Sequence, residues 1–261
     1  MRETLDAWQW LRTPAARQPL ALFIDFDGTL VAFARRPDEI VVSQGLISLL
    51  VALDQTLDHA VAIVSGRPLG QIDHWLQPFS AAGAGLHGAE IRFASGAPVK
   101  AQDLPTLPQE VGREVSRIVQ QLAPPEHYML EEKGAGLALH YSTEADASGV
   151  EAALRECLSG HQDWQLLQGR RVLEIRHATA NKGQAILALA QSQAFVRRRP
   201  VCLGDDITDI EMFEAVREAG GIAVAVGSRI RQHGNFSLGG PGETRTWLQH
   251  LLGVQRGRKN A

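Results

Sequence analysis

With 261 residues, 44% hydrophobic and 21% charged, the chain has an ordinary globular composition and enough length to bury a sizeable core. A formal charge of −3 at pH 7 leaves no basic footprint, so nucleic acid is not an expected partner. Cys157 and Cys202 are too few for a disulfide framework, and no apolar run is long enough to cross a bilayer or act as a secretory signal, so no membrane partner is expected and the expected setting is the cytoplasm.

In chain order, residues 1–17, with Trp8 and Trp10, read as a short amphipathic helix. The apolar run at 20–25 reads as a buried strand, and Leu46, Leu49, Leu50, Leu53 and Leu57 give residues 43–57 helical spacing. A second strand at 59–64 ends at Ser65-Gly66-Arg67-Pro68, a helix follows through Trp75, and 81–85 is a third strand. Pro98, Pro105 and Pro108 then mark a break. Beyond them a helix at 111–122, strands at 128–132 and 137–141 around Gly134-Ala135, a helix at 150–158 and strands at 164–167 and 172–176 repeat helix–strand–strand twice. This pattern predicts an α+β module at 105–177 inserted into an α/β core made of 1–104 and 178–261. The core resumes with a helix at 181–194, a strand at 200–203, a helix at 208–219, a strand at 221–226 and a last helix through Leu252. The basic Arg256, Arg258 and Lys259 read as a solvated, frayed tail.

Four short strings sit where such a core would expose them, at or just beyond a strand end. In Asp25-Phe26-Asp27-Gly28-Thr29-Leu30 two carboxylates lie two residues apart after a buried strand, and ionised carboxylates held together there call for a cation. Ser65 could donate to a phosphate oxygen or simply close a turn. Asn181 is a good N-cap with Gln184 three residues on, which puts Lys182 in a first helical turn that disfavours a cation unless an anion shares it. Gly204-Asp205-Asp206-Ile207-Thr208-Asp209 gathers three carboxylates, which suits a hard cation with oxygen ligands such as Mg²⁺. Thr208 and Glu211 also fit a capping box, so Glu211 reads as structural.

Together the four strings resemble the motifs of haloacid dehalogenase-type phosphotransferases. The resemblance implies a Rossmann-like parallel-sheet core with a C2-type cap, Asp25 as nucleophile and Asp27 as general acid and base. It also implies Ser65 and Lys182 as a phosphate clamp, and Mg²⁺ held by Asp25, Asp27 through its main-chain carbonyl, and Asp205, with Asp206 and Asp209 as ligands or supports. From about residue 18 to 252 the chain further resembles trehalose-6-phosphate phosphatases, through Leu86-His87-Gly88-Ala89-Glu90, Glu131-Glu132-Lys133, Leu139-His140-Tyr141, Leu173-Glu174-Ile175-Arg176 and Asn181-Lys182-Gly183.

That likeness implies hydrolysis of trehalose 6-phosphate through an aspartyl-phosphate, the last step of trehalose biosynthesis. Glu131, Lys133 and His140 would contact the sugar, with Arg67 and His87 as further substrate-binding candidates. Without it, Glu131 and Lys133 could be a solvated strand-end pair, and His140 a half-buried strand histidine. The chain departs from the pattern at Ser142, His177 and Ile210. Those departures leave the phosphoryl machinery intact and keep open another sugar phosphate, of the sucrose-phosphate or mannosylglycerate type. A non-catalytic sugar-phosphate-binding protein is the rival of a different class, and the presence of Asp25, Asp27, Lys182 and Asp205 argues against it. The expected partner is the small sugar phosphate alone, with the chain a monomer or a homodimer.

Overall fold

The computed structural model describes residues 6–33, 39–133, 136–142 and 145–259. Gly134 and Ala135, between two expected strands, and the start of the expected N-terminal helix lie outside them.

The chain opens with a four-residue helix α1 (Ala7–Trp10), capped by the Asp6 carboxylate on the Trp8 N–H at 2.9 Å. Strand β1 (Leu20–Ile24) leads to helix α2 (Gln44–Thr56), whose cap Ser43 accepts from the Leu46 N–H. Strand β2 (Val61–Val64), helix α3 (Leu69–Leu76) and strand β3 (Ala82–Gly85) follow. Two short strands, β4 (Glu90–Arg92) and β5 (Lys100–Ala101), complete the first segment. Next come α4 (Gln109–Leu122), β6 (Tyr128–Glu132), β7 (Gly136–Tyr141), α5 (Ser148–Leu158), β8 (Trp164–Gly169) and β9 (Val172–His177). The last third holds α6 (Lys182–Ala190), β10 (Arg199–Gly204), α7 (Ile210–Glu218), β11 (Ile222–Val226), β12 (Phe236–Leu238) and α8 (Pro241–Lys259).

These elements form two compact units, residues 1–102 with 181–261, and residues 103–180. The first holds an eight-stranded sheet of order β12-β11-β10-β1-β2-β3-β4-β5, parallel from β12 to β3 and antiparallel beyond. Every residue of β1, β2 and β11 is buried, the mark of a parallel sheet covered on both faces. Around it α2 packs against α8 and α6 against α7. This is the parallel sheet that the alternation of apolar runs and helical patterns predicts, and the Rossmann-like core that the resemblance implies.

The second unit is a four-stranded antiparallel sheet of order β6-β7-β9-β8. Leu139, Leu173 and Ile175 pack with Val111, Val115 and Ile118 of α4 and Val150 and Leu154 of α5 on one face. The pairing Glu131↔Ala138 and Ala138↔Glu174 puts Glu131 and Glu174 on the opposite face. The period of two adds Lys133, His140 and Arg176 to it.

The structure corrects several elements. Strands β4, β5 and β12, of two or three residues each, are additions that the sequence reading did not include. The expected N-terminal helix is cut to four residues, followed by a 3-10 turn at Pro14–Arg17. Helix α6 stops at Ala190 rather than at 194, and α7 begins at Ile210 after a 3-10 turn at Ile207–Asp209. The basic tail is not frayed, because α8 continues to Lys259. It is anchored by Gln255, whose fully buried Nε2 donates to Ala16 O at 2.6 Å and Gln18 O at 3.0 Å. Nearby, Trp247 stacks on Trp10 and donates its indole N–H to Ala7 O. Among the described residues no helix is long and apolar enough to cross a membrane.

Candidate active site

Strand register builds the site. Ile24 pairs with Leu203 of β10 and with Ile63 of β2, and Val64 pairs with Ala84 of β3. The residues just past these strands therefore leave the sheet at one edge. Asp25 follows β1, Ser65 follows β2 and Asp205 follows β10. Asp25 and Ser65 continue the ladder by one bond each, to Leu203 O and Ala84 O.

Lys182, the first residue of α6, is brought in by the Asn181 cap, whose side chain accepts from the Gln184 N–H at 2.7 Å. Its ammonium is buried and donates to Asp25 Oδ1 and Asp209 Oδ1, both at 2.6 Å. The other Asp209 oxygen, Oδ2, accepts the backbone N–H groups of Asp205 at 2.8 Å and Asp206 at 3.0 Å. Asp209 thus braces the loop. The capping box here joins Asp206 and Asp209, which replaces the Thr208–Glu211 box read from the sequence.

Asp25, Asp205 and Asp209 each present an oxygen within 4.8 Å of the others. Three buried carboxylates and one ammonium leave two negative charges, the complement of one divalent cation. The electrostatics show the same deficit. Burial, and then the charge of Asp209, push the Asp25 carboxyl up to about 8 against the pull of Lys182. Burial and the charges of Asp25 and Asp209 push Asp205 to about 9. Burial also works against the Lys182 ammonium, but Asp209 and Asp25 outweigh it and hold its pKa above the ordinary lysine value.

The donor set fits a hard divalent metal of the Mg²⁺ class. Asp209 is committed to three hydrogen bonds. Asp25 and Asp205 spend Oδ1 on Lys182 and on the Thr29 hydroxyl, the latter at 3.2 Å, which leaves their Oδ2 atoms to face an ion. Gly28 makes room for it. Its φ is +82°, and a Cβ there would come within 2.3 Å of Asp205 Oδ2.

The other predicted residues divide. The carboxylate of Asp27 lies outside the triad and is gripped by Arg67, with Nε to Oδ2 at 2.5 Å and Nη2 to Oδ1 at 2.9 Å. Arg67, a substrate-binding candidate from the sequence, faces Asp27 here. Asp206 also lies outside the triad and pairs with Arg229 at 3.0 Å. Ser65 is buried, and its Oγ accepts the Arg67 N–H at 3.1 Å. His87 is buried at a φ of +55°, with its imidazole so close to Gly66 that a Cβ there would meet Nε2 at 2.5 Å.

A model of the trehalose-phosphatase family matches residues 23–236. The chain is 33% identical to the trehalose-6-phosphate phosphatase of Escherichia coli, over 95% of this chain and 92% of that one. It is 36% identical to a probable trehalose-phosphate phosphatase of Sinorhizobium fredii, over 80% of this chain and 78% of that one. The chain belongs to the trehalose-phosphatase family. Its fold is shared with the C-terminal domain of the C. albicans trehalose-6-phosphate phosphatase, at a TM-score of 0.81 and 21% identity, covering 96% of this chain and 97% of that one.

The family's sugar-contact candidates all lie in the second unit, on the charged face of its sheet. Glu131 pairs with His140 at 2.8 Å, and that hydrogen bond holds the Glu131 carboxyl below the usual carboxylate range. Lys133 pairs with the buried Glu174 at 2.5 Å. Arg229 and the turn of Arg67 toward Asp27 escaped the sequence reading, and Thr29 and Glu174 stood inside its motif strings with no role assigned. Glu174 left a further signal, as a carboxylate alternating with apolar residues in a strand.

Proposed function

We propose that the chain hydrolyses trehalose 6-phosphate to trehalose and phosphate. The observation that carries this is the buried Asp25–Lys182–Asp209 ion triad beside Asp205, in a chain of the trehalose-phosphatase family. In this reading Lys182, paired with Asp25 and Asp209, also neutralises a phosphate oxygen. A bound Mg²⁺, held by Asp25 and Asp205, supplies the remaining charge neutralisation.

Asp25 attacks phosphorus, forming an O–P bond as the bond to the sugar oxygen breaks, and Asp27 gives that oxygen its proton. Asp27, now a carboxylate, takes a proton from water as the water oxygen attacks phosphorus. The Asp25–phosphorus bond then breaks, which releases phosphate and restores both groups. Ser65 donates to a phosphoryl oxygen. Glu131, Lys133 and His140 recognise the sugar hydroxyls, and a disaccharide rewards such charge-assisted bonds. In this reading residues 105–177 are the specificity cap and the remainder is the hydrolase core.

Phosphate release from trehalose 6-phosphate beside a panel of sugar phosphates, with Mg²⁺, tests this. Trehalose 6-phosphate should give the highest kcat/KM, and Asp25→Asn should abolish turnover. Equal or better turnover of another sugar phosphate overturns the substrate assignment.

A further inference from the structure

We propose that Trp75 is a positioning residue for this reaction, acting through Arg67 on the carboxyl group of Asp27. Four side chains close a ring. Phe26, fully buried between the two motif aspartates, lies parallel to the half-buried Trp75, with centroids 5.9 Å apart and planes 8° apart. The Arg67 guanidinium sits over the Trp75 ring, 4.7 Å from its centroid. Its fork then returns to both oxygens of Asp27, the residue next to Phe26. The backbone of Arg67 is fixed as well, through its N–H on Ser65 Oγ.

Each contact alone is modest, as a cation–π contact at a partly exposed site is. Their effect is directional. A guanidinium held over an aromatic ring loses freedom to swing away, and its bidentate fork passes that restraint to the carboxyl plane. With both oxygens in the fork, the plane of the Asp27 carboxyl, and so its heading toward the leaving oxygen, is set by Arg67. Leu in place of Trp75 keeps the helix and the apolar contact but removes the flat face. Lys in place of Arg67 keeps the charge but removes the fork and the plane.

This role presupposes that Asp27 is the general acid, and the experiment separates the two. The readout is kcat/KM across a series of aryl phosphates of rising leaving-group basicity, none carrying a sugar, with Mg²⁺ present. A misdirected acid hurts poor leaving groups most, so the slope against leaving-group basicity steepens. A lost sugar contact or a loosened fold lowers every member alike.

For Trp75→Leu and Arg67→Lys we expect a loss of about tenfold on the most basic leaving group, a fraction of the 10²–10⁴ that general acid catalysis supplies. On p-nitrophenyl phosphate the loss should stay under about twofold, because a good leaving group asks little of the acid. Trp75→Phe, which retains a flat ring, should keep the native slope. Asp27→Asn should give the steepest slope of all.

A uniform loss, or none, in Trp75→Leu while Asp27→Asn steepens the slope overturns the role of Trp75 and leaves Asp27 standing. An unchanged slope in Asp27→Asn overturns both. Should Trp75→Leu fail to fold, the contrast between Arg67→Lys and Trp75→Phe decides. A native slope in Arg67→Lys, or a steepened one in Trp75→Phe, refutes the ring.

Discussion

Loading the metal site should expel protons. In the metal-free protein the Asp25 carboxyl is pushed up to about 8 by burial and the charge of Asp209, and that of Asp205 to about 9 by burial and the charges of Asp25 and Asp209. A divalent ion takes carboxylates, so near pH 6 both groups must give up a proton to bind it. Each proton released raises the apparent affinity about tenfold per pH unit, and two give about 100-fold between pH 6 and pH 7. The stability of the metal-free fold runs the other way. Both folded pKa values lie above the ordinary 3.8, so the contribution of these carboxyls is fully present below about pH 4 and is lost as pH rises through about 8 to 9. The slope is up to about 1.4 kcal/mol per pH unit for each group. Titration calorimetry with Mg²⁺ at several pH values, in buffers of different ionisation enthalpy, measures both affinity and proton release. An affinity that moves less than about threefold between pH 6 and pH 7, with no buffer-dependent heat, refutes the reasoning.

Three further outcomes follow from the same geometry. Lys182→Met leaves Asp25 and Asp209 buried without their shared cation, so urea unfolding should show a loss of about 3–5 kcal/mol along with loss of turnover. Gly28→Ala forces a side chain to a φ of +82° and drives a methyl group into Asp205 Oδ2. Mg²⁺ titration of activity should require at least about tenfold more metal, and unchanged metal dependence would mean that the turn relaxes without cost. Gln255→Leu leaves the carbonyls of Ala16 and Gln18 without their donor at the base of α8, so the urea midpoint should fall by the equivalent of about 1–3 kcal/mol while kcat stays unchanged.

What the sequence showed and what it hid separate along a physical line. Lys182 was legible because a cation in a first helical turn is locally wrong unless it has a job elsewhere, and its two buried partners are that job. The parallel core was legible because strands buried on both faces are continuous apolar runs. Strands of two or three residues, such as Lys100–Ala101 and Phe236–Leu238, give no period to count. The capping box was misread because two overlapping four-residue strings carry the pattern. Only the 3-10 turn at 207–209, which brings the Asp209 carboxylate back to the N–H of Asp206, decides between them. The grip of Arg67 on Asp27 joins residues 40 apart at the ends of two neighbouring strands, and no local rule orients two side chains across such a gap.

The central position of β1 also shapes how the chain comes into being. Its five apolar residues are followed within about sixty residues by β2 and β3 on one side. The partner on the other side, β10, begins only at Arg199. At about 5–20 residues per second, a ribosome takes roughly 10–40 s to go from Leu20 to that strand. During that interval Leu20-Ala21-Leu22-Phe23-Ile24 keeps one edge open, while the whole of unit 103–180 emerges and can fold. Nascent chains stalled or cut before Arg199 therefore carry a sticky apolar edge and half an active site, which makes the late arrival of β10 a point of vulnerability for chaperone capture and aggregation.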